Sequence, residues 1–154
     1  MAIEADGEAI ISRPIEEVFD YVSDPRNEPE WLPGATAVEK TSDGPVGPGS
    51  TFVGHYNRAG RVELELIEFE RPRCVTFRAR SKVVDFDDAI VLSQIGPRTH
   101  LQARMSAEPR GAMRLAAPLM ARTMRCQFAT NWDQLRQALE REPGGSLDRI
   151  QRDP

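Results

Sequence analysis

Residues 60–109 read GRVELELIEFERPRCVTFRARSKVVDFDDAIVLSQIGPRTHLQARMSAEP, and their alternation decides the fold class. Val62, Leu64 and Leu66 fall on one face of a strand, as do Val75, Phe77 and Ala79, then Phe86, Asp88, Ile90 and Leu92, then Thr99, Leu101, Ala103 and Met105. Glu63, Glu65, Thr76, Arg78, Arg80, His100, Gln102 and Arg104 alternate with them and are expected to face water. Arg71-Pro72 and Gly96-Pro97 mark turns between the runs. Just upstream, Ala59-Gly60 and the Gly-Pro pairs at 44–48 do the same, and Phe52, Gly54 and Tyr56 share the face of one more strand. The stretch predicts a meander of hairpins with one apolar face, and that face needs a cover.

After Pro109 the period changes. Met113, Ala117, Met120, Met124, Phe128, Leu135 and Leu139 recur at three- and four-residue steps through a stretch rich in Arg, Gln, Ala and Leu, which predicts one long amphipathic helix over the sheet. Pro118 should kink it or delay its start, and Pro143, Gly144 and Gly145 should stop it. Residues 1–142 are expected to form the domain, with 143–154 a flexible tail too poor in apolar residues to fold by itself.

Before the meander, Ile3, Ala5, Ala9 and Ile11 alternate with acids as a half-buried strand does. Ser12 as a cap, Pro14 in the first turn and Glu16 and Glu17 behind them mark a helix start, with Ile15, Val18, Phe19 and Val22 as its apolar stripe. A second brief helical turn runs toward Trp31 and ends at Pro33-Gly34. The class is α+β: a strand, two short helices, an antiparallel sheet and a long final helix.

The chain has 154 residues, enough for one ordinary domain, and a formal net charge of −4, which gives no field for wrapping nucleic acid. Its apolar runs are far shorter than the ~20 residues a membrane-spanning helix needs. The acidic start MAIEADGEAI lacks the cations of a signal peptide, so a soluble, cytoplasmic protein is expected. Cys74 and Cys126 lie in unlike contexts, and buried free thiols are expected rather than a disulfide or redox pair.

Several local motifs match a known pattern. Ile11, Arg13, Pro14, Ile15, Glu16, Glu17, Val18 and Phe19 match a "strand, then small-Pro-x-x-x-Val-Phe" opening. Asp24, Trp31 and Pro33 match a "D…W-x-P" loop, Gly47-Pro48-Gly49 a glycine turn, and Glu68, Arg71 and Pro72 a "V-x-E-x-x-P-P" hairpin in which Arg71 replaces one proline. Gly96-Pro97-Arg98-Thr99 departs from the usual Gly-Thr turn. With the order of elements, these residues resemble the START-like, or SRPBCC, superfamily, which includes the birch pollen allergen, lipid-transfer domains and polyketide aromatase/cyclases. The resemblance covers residues 2–142 and implies a helix-grip fold: a curved antiparallel sheet of about seven strands around a long C-terminal helix, with two short helices after the first strand. It further implies a hydrophobic cavity between sheet and helix. The matching motifs are turns and caps, so they speak for architecture rather than activity.

Gly54, Ala79 and Ala103 facing Ala117, Met120 and Met124 are expected to leave volume unfilled, although each Met or Phe alone reads equally as core. Trp31, Phe52, Tyr56, Leu64, Leu66, Phe77, Phe86, Asp88, Ile90, Met120, Met124, Phe128 and Asn131 are the candidate ligand-binding residues. Trp31 is expected at the cavity mouth and Trp132 toward its far end. His55 and His100 fall at solvent-facing positions with no ligand partner in register, and no nucleophile or phosphate-loop motif is present, so neither a metal nor a cofactor is expected. Asp85, Asp87 and Asp88 alternate in direction and do not form one cation cage.

Asp88 has two readings. Alternation points it inward, where it needs a partner such as Tyr56 or Asn131, while a bulge at Asp87-Asp88 turns it out. Inward, Asp88 with Tyr56 orients a greasy ligand or forms the acid/base pair of a cyclase. The expected function is binding of a small hydrophobic or aromatic metabolite or lipid, as carrier, sensor or transporter, by a monomer or homodimer. The alternative is a polyketide cyclase/dehydratase-like lyase or isomerase using the same cavity. A co-chaperone-like assembly partner would need an exposed apolar patch, of which the alternation gives no sign.

Overall fold

The computed structural model describes residues 2–141, so the stop at Pro143–Gly145 and the tail at 143–154 lie outside the described residues. In chain order come β1 (Ile3–Ile11), α1 (Ile15–Val22), a 3₁₀ turn (Pro25–Asn27), α2 (Glu28–Trp31), β2 (Ala35–Lys40), β3 (Thr51–Tyr56), β4 (Gly60–Glu70), β5 (Cys74–Arg80), β6 (Val84–Ile95) and β7 (Arg98–Pro109). A second 3₁₀ turn (Gly111–Arg114) then leads into α3 (Ala117–Arg141). The seven strands form one antiparallel sheet in the order β1-β7-β6-β5-β4-β3-β2. Their predicted inward faces are the buried ones, from Val62, Leu64 and Leu66 through Thr99, Leu101, Ala103 and Met105.

The sheet is covered by α1, α2 and α3. Phe128, Trp132, Leu135 and Leu139 are the buried stripe of α3 and join Ile11, Val18, Phe19, Leu66 and Leu101 in the main core. Close approach of α3 to β1 depends on Gly7: a Cβ there would lie 2.2 Å from Trp132 Cδ1, so any side chain would collide with the indole. Thr99, fully buried, satisfies its hydroxyl by donating to the Arg13 carbonyl at 2.8 Å. Pro118 falls in the first turn of α3, where its missing N–H is harmless, so it delays the helix rather than kinking it.

Three expectations are corrected and one open alternative is decided. Ser12 does not cap α1: Pro14 occupies the N-cap, and the Ile15 N–H donates to Gln94 Oε1 of β6 at 3.0 Å. The Ser12 N–H instead donates to Glu140 Oε1 at 3.0 Å, tying the end of β1 to the last turn of α3. Neither cysteine is fully buried. Cys126 is exposed on α3, and half-buried Cys74 donates its thiol toward Glu68 and Glu70, with burial and then those carboxylates raising its pKa. There is no bulge at Asp87-Asp88, since pairing with β5 and β7 runs unbroken through Phe86, Asp87, Asp88 and Ala89. Finally, Leu115 and Leu119 project into solvent, so apolar side chains do reach the surface outside the strand alternation.

Candidate functional site

The unbroken register of β6 fixes the inward direction of Asp88, which faces Phe77 across β5 and Met105 across β7. All three border a cavity of about 140 Å³ between the sheet, α2 and α3. Its aromatic walls are Trp31, Tyr56, Phe77, Phe86, Phe128 and Trp132, with Val22, Leu32, Leu64, Ile90 and Met105 completing the apolar surface. Its polar groups are Glu28, Asp88, Asn131 and the Tyr56 hydroxyl, and among the described residues no Lys, Arg or His lines it.

Glu28 was not expected. Tyr56 donates its hydroxyl to Glu28 Oε2, so the partner predicted for Asp88 is taken by another acid. Gly54 makes that bond geometrically feasible: the Tyr56 ring lies back over it, with Cε2 and Oη 2.5 and 2.9 Å from where a Cβ would be. The volume expected at Gly54 is therefore filled by Tyr56. Burial pushes the Glu28 carboxyl up to about 7, the Tyr56 hydrogen bond pulling it down and the charge of Asp24 adding to the rise. Burial, then the neighbouring Glu28, holds the Tyr56 phenol far above its ordinary value, so it serves only as a donor.

Asp88 Oδ1 is sealed from solvent and has no hydrogen-bond partner among the described residues, while the residue as a whole keeps some surface toward the cavity. Burial, then the charge of Glu28, pushes its carboxyl up to about 8. A carboxyl raised that far favours its protonated form near neutral pH, and its Oδ1 is left without a protein partner among the described residues. The other buried orphan, Trp132 Nε1, lies with Cδ1 against Gly7 of β1.

Of the candidates from sequence, Trp31, Tyr56, Leu64, Phe77, Phe86, Asp88, Ile90, Phe128 and Asn131 are brought together around this cavity. Phe52 and Leu66 are instead fully buried core. Met120 packs on a second apolar cluster of Ile3, Val84 and Ala107, and Met124 on both that cluster and the main core, and neither lines the cavity, because the early turns of α3 lie over that end. Trp132 is not at the far end: its ring lies 5.6 Å from that of Trp31, and both border the cavity. His55 is exposed and His100 meets Glu8 at 2.9 Å; among the described residues no cluster of His, Cys, Asp or Glu could hold a metal ion.

A curved seven-stranded antiparallel sheet, two short helices after the first strand and a long C-terminal helix with an apolar cavity beneath it define a helix-grip protein of the START-like class. The family described as "Polyketide cyclase / dehydrase and lipid transport" matches residues 2–140, and the chain belongs to it. Among solved structures, TTHA0849 from Thermus thermophilus is similar with a TM-score of 0.72 and 15% identity, covering 90% of this chain and 97% of that one. A START superfamily protein from Mycobacterium smegmatis gives 0.68 and 15% identity over 96% and 98%. The di-domain ARO/CYC BexL of the BE-7585A biosynthetic pathway gives 0.67 and 16% identity over 90% of this chain and 49% of its own. No curated protein matches this sequence.

Proposed function

We propose that the protein binds a small aromatic or otherwise hydrophobic metabolite in the cavity between the sheet and α3, with Asp88 as the polar anchor. The observation that carries this reading is Asp88 Oδ1, buried and without a partner among the described residues, in a cavity lined mainly by aromatic and aliphatic side chains. An unmatched buried polar group costs about 1–3 kcal/mol, and a ligand oxygen or nitrogen at Asp88 removes that cost while apolar walls take the rest of the molecule. Phenols, aryl ketones and arylamines of one ring have the required chemistry. The family's description, with lipid transport in it, supports a hydrophobic ligand.

A second reading, a cyclase or dehydratase, is favoured by one feature: two cavity carboxyls raised to about 7 and about 8 are suited to giving and taking protons near neutral pH. In that reading Asp88 protonates a substrate carbonyl or leaving hydroxyl.

Native mass spectrometry of freshly purified full chain, followed by titration with single-ring phenols and ketones, tests the binding reading. Expected is a co-purified or added ligand held at one equivalent and lost in Asp88→Leu. Failure of every probe to bind, or binding undiminished in the folded variant, overturns it. Turnover of a bound ketone or aldol that disappears in Asp88→Asn while binding persists would favour the enzyme.

A further inference from the structure

A surface helix ordinarily carries one apolar stripe, and the entrance to α3 carries two. On the inner side Ala117, Met120, Ala121 and Met124 pack on Ile3, Val84 and Ala107. On the outer side Leu115, in the turn before α3, and Leu119, in its first turn, are 89% and 78% exposed. Residues 109–132 contain Arg110, Arg114, Arg122 and Arg125 and no Asp or Glu, in a chain whose overall charge is −4. Arg114 and Arg122 have no ion-pair partner among the described residues.

The basic surface continues past Arg110, which is pinned to the β5–β6 turn through the Ser81 carbonyl at 3.1 Å. A groove there is lined by Arg58, Arg61, Arg80, Lys82 and Arg110. Glu63 pairs with Arg61, and Asp85 with Arg80 and Arg110, which leaves Arg58 and Lys82 unpaired among the described residues.

We propose that this end of the molecule docks on an anionic lipid bilayer, with Leu115 and Leu119 entering the boundary between headgroups and acyl chains and Arg58, Lys82, Arg114 and Arg122 at the level of the lipid phosphates. Charge complementarity selects the occupant. Two leucines standing proud at the start of a helix, with long-chain cations that have no ion-pair partner among the described residues on the same stretch of chain and in the adjoining groove, fit a liquid surface that closes around protrusions and presents phosphate wherever a cation reaches. The location ties the surface to the cavity: Phe86 is at once a cavity wall and, like Met120 and Met124, packed on Ile3, Val84 and Ala107. The docking itself stands whether or not the cavity holds a ligand.

The test is co-sedimentation of the full chain with vesicles of phosphatidylcholine alone and of phosphatidylcholine with phosphatidylserine at about 3:1. Expected is binding to the anionic vesicles, little to the neutral ones, and release as salt is raised. The double variant Leu115→Asp, Leu119→Asp should lower vesicle partitioning by about tenfold or more, from the lost apolar insertion. Arg114→Glu with Arg122→Glu should remove the preference for phosphatidylserine. Both pairs are exposed, so thermal unfolding should match the wild type; if the aspartate pair fails to fold, Leu115→Ser with Leu119→Ser replaces it. Wild-type protein remaining in the supernatant with both vesicles overturns the proposal. So does undiminished binding by the folded leucine variant, or a wild-type dimer that those substitutions convert to monomer without any vesicle binding, which would make a second copy the occupant.

Discussion

Replacing Asp88 by Asn removes a titrating group from the cavity while keeping its shape, and the consequence is a change in how stability depends on pH. The folded-state carboxyl is raised from 3.8 to about 8 by burial and by Glu28. Between those values the folded protein holds a proton that the unfolded chain has released, so unfolding becomes easier as pH rises. The stabilisation is complete below the unfolded value and is lost progressively until pH passes the folded one. The slope approaches about 1.4 kcal/mol per pH unit, and across the window the total is on the order of 5 kcal/mol. Asp88→Asn abolishes this contribution. Glu28, raised from 4.5 to about 7, produces a similar fall in both proteins and largely cancels in the difference. The variant should therefore match the wild type near pH ~4 and gain on it steadily toward pH ~8. Urea unfolding at a series of pH values, extrapolated to water, measures the difference directly. Parallel stability curves for the two proteins would refute the reasoning, because they require an Asp88 that is ionised and reached by water in the folded state.

Gly7→Ala should destabilise the fold by about 1–3 kcal/mol, because its Cβ would sit 2.2 Å from Trp132 Cδ1 and force the buried indole or the backbone to shift; chemical unfolding with tryptophan fluorescence measures it, and an unchanged midpoint would count against the packing. Gly54→Ala should drive the Tyr56 ring from its place and break its bond to Glu28, which holds the Glu28 carboxyl down; NMR titration of Glu28 should then show a further upward shift, and an unmoved titration would show that the ring is not constrained there. Trp31 and Trp132, 5.6 Å apart on one cavity wall, should respond together to a cavity ligand; single-tryptophan variants in which only one responds would contradict a shared site.

What was legible in the sequence is what period and local chemistry carry. The inward sets on β3 to β7 follow from two-residue alternation, and Asp88 stood out because it breaks an apolar set. Glu28 was missed, although a signal existed: it precedes Trp31 by three residues in EPEW, and that spacing puts both side chains on one side of a helical turn. Other features had no local signal. The N-terminal cap of α1 comes from Gln94, 79 positions away, and Ser12 looked suitable only because its true partner, Glu140, lies 128 positions on. Gly54 read as a source of unfilled volume and Gly7 drew no reading; their roles depend on which rings arrive above them. Met120 and Met124 kept helical phase with Phe128, yet phase does not say how far along its length a helix covers a cavity.

The size of the cavity narrows the reading further. About 140 Å³ is close to the volume known to admit one benzene ring and is below the usual ~300–1,000 Å³ of ligand pockets, so anything larger than a single ring has to move a wall. The sheet side cannot yield readily, because β4 to β7 are held by long ladders on both flanks of Asp88. Nor can the middle of α3, where Trp132 is wedged onto Gly7. The weakest wall is α2, four residues long, which supplies Trp31 and is followed by Leu32. Its polar fastenings include the Tyr56–Glu28 bond, the 2.9 Å bond from Tyr21 to Glu30 and the 3.0 Å bond from the Asn27 amide to the Tyr21 carbonyl. The first of these belongs to the cavity itself, so on the proposed binding reading a larger ligand would widen the site by offering Glu28 or Tyr56 a replacement partner and displacing α2. Glu28 is thus both a fastening of the cavity and a group a ligand can compete for. Its protonation near pH ~7 weakens that fastening, since the Tyr56 hydroxyl bonds more strongly to a carboxylate than to a neutral acid.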